Sequence, residues 1–99
     1  MIPENDIIEC LRLVPDPELG LNIVDLGMVE QVDQREGHLR VQIVLTSPGC
    51  PLSGSIADAV DVTLRTLPGV ETVMVEFPPD IQWGPKRLTP EARRILWGE

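Results

Sequence analysis

Apolar positions in this chain fall into two rhythms. Between Asn5 and Val14, the residues Ile7, Cys10, Leu11 and Val14 recur at three and four. That spacing predicts a short amphipathic helix, capped by Asn5 or Asp6 and carrying Glu4, Asp6 and Glu9 near its start. Val14-Pro15-Asp16-Pro17-Glu18-Leu19-Gly20 ends it, because each proline disfavours helical dihedrals in the residue before it, and a rigid acidic loop results. From Asn22, the residues Ile23, Val24 and Leu26 lead into a strand over Met28–Val32. Leu39, Val41, Ile43 and Leu45 then alternate about Arg40 and Gln42 as a second strand. The polar stretch from Asp33 to His38, with Gly37 inside it, has the length and chemistry of a β-hairpin connection.

Helical spacing returns with Ile56, Ala59, Val60, Thr63, Leu64 and Leu67, until Leu67-Pro68-Gly69 stops it. Val73, Val75 and Phe77 alternate with Thr72, Met74 and Glu76, which predicts a third strand. A stiff loop from Pro78 to Pro85 follows, and Thr89-Pro90-Glu91 opens a final helix, with threonine as cap and proline in the first turn. The order predicts an α+β fold: a small, mostly three-stranded sheet containing a β-hairpin, helices packed on one face and a short C-terminal helix. Residues 1–99 are expected to form a single domain, with no internal repeat or linker.

Charge narrows the functional classes. A net charge of -8 opposes binding driven by phosphate neutralisation, so neither nucleic acid nor an anionic membrane surface is an expected partner. Lys86, Arg87, Arg93 and Arg94 gather late in the chain and are expected to form a solvated face. Aromatics make up only 3% of the residues, so the core has to be aliphatic. No stretch approaches the roughly 18 to 20 apolar residues of a membrane span, and the N-terminus lacks the pattern of a signal peptide, so the expected compartment is the cytoplasm. There the two thiols, Cys10 and Cys50, are expected to stay unpaired.

Cys50 is the informative thiol. It precedes Pro51 and the patterned helix, which puts its sulfur beside unpaired backbone N–H groups and the positive end of the helix dipole. Both favour the thiolate, the form that binds metal or attacks electrophiles, and Gly49 allows close approach. Equally open on local grounds is a plainer role for Cys50, as a helix cap or a small packed hydrophobe. Cys10 lies on the apolar stripe of the first helix and reads as a structural thiol. His38, in the expected turn, reads as solvated. There is no CxxC pair and no Cys/His cluster of zinc spacing, so one chain lacks the ligands of a closed tetrahedral site. Asp16, Glu18 and Asp25 form an acidic group that either serves turn chemistry or, if the loop folds back towards Cys50, supplies oxygen ligands. Thr46 is suited to hydrogen bonding within the loop it begins.

The motifs Asp16-Pro17-Glu18-Leu19-Gly20, Asn22-Ile23-Val24-Asp25-Leu26-Gly27 and Leu45-Thr46-Ser47-Pro48-Gly49-Cys50-Pro51 together resemble those of the metal-sulfur cluster biosynthetic family that includes SufT- and PaaD-like proteins. Trp83 and Leu88-Thr89-Pro90-Glu91-Ala92-Arg93 extend the resemblance over most of the chain. It implies a compact α/β fold and a role in maturing iron-sulfur proteins. It also implies that Cys50 is the key reactive residue, supported by Asp16, Glu18, Asp25, Thr46, Gly49 and Pro51. PaaD-type members carry a cysteine-bearing tail beyond the last helix, whereas this chain stops at Trp97-Gly98-Glu99, and the prolines of Pro78–Trp83 are more loosely spaced. A general cluster-assembly role is therefore expected rather than the PaaD one.

The expected function is that of an accessory or carrier protein without turnover of its own. Its Cys50 would contact an iron-sulfur cluster transiently, with the remaining ligands coming from a partner or from the second copy in a homodimer. Expected partners are cluster-assembly proteins and apo-clients. The alternatives are a metal-free adaptor that docks clients to the assembly machinery and a single-cysteine redox enzyme, the latter lacking an evident resolving thiol.

Overall fold

A computed structural model of the chain describes residues 2–16, 19–45 and 53–98. Helix α1 (Glu4–Leu11) buries Ile7 and Leu11 completely. It starts earlier than Asn5 or Asp6 capping predicts. Pro3, in an extended conformation with φ -59° and ψ 133°, is the N-cap, and no side chain caps the helix. The Pro3 carbonyl accepts from the N–H groups of Asp6 and Ile7, while Glu4 and Asp6 lie where the helix dipole favours acids. The helix also stops before Val14. Pro15 keeps Val14 out of helical dihedrals, and Pro15 instead forms an isolated antiparallel bridge with Asn22.

Strands β1 (Val29–Arg35) and β2 (His38–Ile43) pair antiparallel. The connection is tighter than the stretch from Asp33 to His38, because both strands run on to the Arg35–His38 pair and leave only Glu36 and Gly37 as the turn. Their φ angles of 51° and 85° are both positive, as the two-residue turn matching strand twist requires. His38 consequently stands at the start of a strand, where its Nδ1 lies 2.7 Å from the Thr72 hydroxyl. A bulge between Val29 and Gln31 shifts the register of β1. The extra residue lets Val29 and Val32, three apart, both pack against the core.

Helix α2 (Ser53–Leu64) carries the chain from β2 to β3 (Thr72–Glu76), which lies parallel to β2. The strand order is β1-β2-β3, and a parallel neighbour requires such a crossover. On the helix-covered face, Leu39, Val41 and Ile43 of the central strand are buried with Ile56, Val60 and Leu64 of α2 and with the α1 residues. On the other face, Arg40 Nε donates to Glu76 Oε1 at 2.7 Å and the Gln42 amide donates to the same oxygen at 3.4 Å.

These donors, Arg40 before Gln42, hold the Glu76 carboxyl below its ordinary 4.5. A carboxyl whose folded pKa is depressed stabilises the fold above its unfolded pKa and loses that contribution as pH falls through the folded one. The Tm difference between the wild type and Glu76→Gln should therefore be present at neutral pH and close as the pH drops below 4.5. Thermal melts across that range check it; a difference independent of pH would show that the carboxylate contributes nothing.

Helix α3 (Pro90–Trp97) follows a 3₁₀ turn at Pro85–Arg87. The Thr89 hydroxyl accepts from Ala92 N–H at 3.2 Å, with proline in the first helical turn and Gly98 in the left-handed conformation at the C-cap. Leu88 and Ala92 enter the core.

Candidate functional site

The residues expected to surround the reactive cysteine belong to two segments. The first lies between α1 and β1. Asp16 is 1% exposed. Its N–H donates to Leu21 O and its carbonyl accepts from Gly20 N–H, both at 2.8 Å, so Asp16 closes the acidic loop through its backbone. Glu18 lies outside the described residues.

Asn22–Gly27 is not the lead-in to a strand that its apolar content suggests but a single capped helical turn. Leu26 N–H donates to Asn22 O, Gly27 N–H to Val24 O and Met28 N–H to Ile23 O. The last two bonds, with Gly27 at φ 69°, form the 6→1 and 5→2 pair that ends helices at a left-handed residue. Asn22 and Asp25 cap one another reciprocally: the Asp25 N–H donates to Asn22 Oδ1 and the Asn22 amide donates to Asp25 Oδ2, both at 2.9 Å.

Asp25 Oδ1 receives Arg12 of the turn after α1 in an ion pair. The hydrogen bond to Asp25, aided by Glu9, raises the Arg12 guanidinium further above its already high pKa. The Asp25 carbonyl accepts from Thr89 N–H at 3.0 Å. One residue thus ties together the end of α1, the capped turn and the start of α3. Both of its carboxylate oxygens already face donors, which suits Asp25 to holding the loop in place.

The turn's last carbonyls are covered from further along the chain. Trp83 Nε1 donates to Leu26 O and Arg87 Nε to Gly27 O, both at 2.6 Å, and Arg87 Nη2 pairs with Glu30 at 2.7 Å. Arg87 is accordingly half-buried and does not belong to the solvated basic face expected for it. A cation there also complements the negative end of the turn. Sequence reasoning did not find Arg12, Asn22 and Arg87 as organisers of this region. Only Asn22 had a legible signal, its Asn-x-x-Asp spacing.

The second segment joins β2 to α2. Val44 is buried and its N–H donates to Met28 O at 2.7 Å, which fastens the end of β2 beside the capped turn. Thr46, Gly49, Cys50 and Pro51 lie outside the described residues, between Leu45 and the start of α2 at Ser53. The first turn of α2 holds no acidic residue to offset the positive end of its dipole. β2 runs parallel to β3 and ends at Ile43, and α2 begins the return to β3 at Ser53. Cys10 is half-buried and packs against the core, as a structural thiol does. Among the described residues no group of three or more His, Cys, Asp or Glu side chains is arranged to hold a metal ion, and no helix is long and apolar enough to cross a membrane.

Comparison with known proteins places these features. The family described as iron-sulfur cluster assembly protein matches residues 4–77. The chain is 42% identical over 83 residues to the Fe-S protein maturation auxiliary factor YitW of Bacillus subtilis, a match covering 83% of this chain and 78% of that one. It is 38% identical over 76 residues to an iron-sulfur cluster carrier protein of Synechocystis, covering 77% of this chain but only 22% of the carrier. A crystal structure of a domain of unknown function from Bacillus anthracis superposes with a TM-score of 0.88 at 34% identity, covering 94% of this chain and 90% of that one. By sequence and by fold, the chain belongs to the iron-sulfur cluster assembly protein family.

Proposed function

We propose that residues 1–99 act as one domain in the maturation of iron-sulfur proteins, as an accessory or carrier in which Cys50 contacts a cluster that is cargo. The observation that carries this proposal is the family match over residues 4–77, which contains the Cys50-Pro51 motif next to a helix start without acids. A thiolate there is stabilised by the helix dipole and by unpaired N–H groups. Soft sulfur selects iron-sulfur units over hard cations. A single thiol leaves coordination incomplete, so the cluster passes through and is not retained. Asp25 and Asp16 hold the acidic loop, and with Glu18, Thr46, Gly49 and Pro51 they form the surroundings of the sulfur. The relatives named as auxiliary factors and carriers support a protein without turnover of its own.

The partners that fit are cluster-assembly proteins and apo-clients in the cytoplasm, where a reducing compartment keeps the thiol free. The Synechocystis carrier, of which this chain spans about a fifth, supports a domain that works next to a larger carrier polypeptide. Anaerobic reconstitution with ferrous iron and sulfide tests the cysteine. Thiolate-to-iron absorption is expected in the wild type and lost in Cys50→Ala. Equal absorption in both would overturn the role of Cys50. A colourless wild type that still retains assembly proteins would instead establish the metal-free adaptor.

A further inference from the structure

The two edges of the sheet are built differently. β1 is broken by the bulge at Val29/Gln31 and carries exposed Glu30, Asp33 and Arg35. The backbone of Ile2 is fastened along it, its N–H donating to Gln34 Oε1 at 3.0 Å and its carbonyl accepting from the Gln34 amide at 2.6 Å. Bulges, charges and a covering segment are the devices by which natural sheets block further pairing.

β3 has no bulge and, among the described residues, no strand along its outer edge. Its five residues, Thr-Val-Met-Val-Glu, contain no proline, glycine or lysine. Its single charge, Glu76, is turned to Arg40 of the neighbouring strand. The core-facing side is also unfinished: Val73, Val75 and Phe77 are only half-buried, whereas Leu39, Val41 and Ile43 of β2 are buried. One more strand would satisfy the outward N–H and C=O groups and complete the cover over the valines.

We propose that the outer edge of β3 is a strand-addition site for an extended segment of a partner polypeptide, with alternating β-branched residues flanked by lysine or arginine. Main-chain bonding along an open edge gives such sites their affinity and alternate side chains their selectivity. Charge decides the occupant. From Gly69 to Asp80 the chain carries Glu71 and Asp80, besides the Arg40-paired Glu76, and no lysine or arginine. A second copy would set those acids against their own kind on chains of net charge -8, whereas a basic-flanked segment meets opposite charge at both ends. The site deepens the proposed function, since it is where a client or an assembly protein would be held. It makes no use of Cys50.

The probe is a synthetic peptide of alternating valine and threonine with lysines at both ends, titrated into the isotope-labelled full chain and followed by amide NMR shifts. Shifts are expected over Val70–Phe77. Binding should weaken at least about tenfold when glutamates replace the lysines, and it should vanish when alternate peptide amides are N-methylated, since the methyl groups remove the ladder donors. Shifts centred elsewhere, for instance on Asp6 and Glu36, would overturn the proposal. So would undiminished binding of the N-methylated peptide, or a chain that sediments as a dimer sealed through β3. Cys50→Ala should bind the peptide as the wild type does, so failure here and failure of the cluster role are separately visible.

Discussion

Gly27→Ala is expected to lower the Tm by about 10–25 °C, corresponding to a loss of about 3 kcal/mol or more for a domain of this size. Two effects add. At φ 69° an alanine pays roughly 1–2 kcal/mol for the left-handed conformation. Its Cβ would also sit 2.5 Å from the Arg87 carbonyl carbon, and nearer still to the oxygen, with Arg87 Cβ at 2.7 Å. Backbone atoms cannot swing aside as a side chain does, so relief would separate the 3₁₀ turn from the capped turn and strip Gly27 O of its Arg87 donor. Gly20→Ala separates the two effects, because Gly20 also has positive φ, 77°, but nothing lies within 4 Å of the added carbon. It should lose only about 1 kcal/mol. Thermal melts followed by circular dichroism decide it, and equal losses in the two variants would mean that the contact with Arg87 gives way freely.

Cys50→Ala should do the opposite: abolish maturation of client iron-sulfur enzymes while moving the Tm little. Removing one sulfur forfeits about 1 kcal/mol even from a packed position, whereas losing the only thiol of the motif removes the group proposed to meet the cluster. Client activity in cells carrying the variant, measured beside the purified protein's Tm, checks both halves. Unaltered client activity would reject the role of Cys50. Loss of both activity and stability would make Cys50 a packing residue, the plainer of the two roles its sequence context allows. Gly27→Ala is the complementary control, because it should impair maturation only in proportion to the folded fraction.

The contrast between these variants follows from how the region is assembled. Asp25 is held by Arg12 and Asn22 and holds Thr89 through its backbone. Trp83 and Arg87 seal the carbonyls of the same turn. The capped turn is therefore the junction of α1, β1 and α3, and Val44 at the end of β2 is fastened beside it. An acidic motif that on local grounds reads first as turn chemistry, with metal ligation as the alternative, serves at Asp25 as the clamp of that junction.

Local chemistry in the sequence was enough for the helix over Ile56, Val60 and Leu64, the central strand through Leu39, Val41 and Ile43, the Thr89-Pro90 helix start and the hairpin at Gly37. Each depends on contacts between residues two to four apart, or on dihedrals that one residue type favours. The motif around Cys50 lies outside the described residues, and its chemistry depends on surroundings that a short window does not fix. Two features depended on packing: the parallel pairing of β2 with β3 and the seats of Arg12 and Arg87. Asp25 meets Arg12 across 13 residues and Gly27 meets Arg87 across 60. Nothing in a short window distinguishes a surface arginine from one that completes a distant turn; the choice belongs to the core, which brings those segments together once its aliphatic faces close.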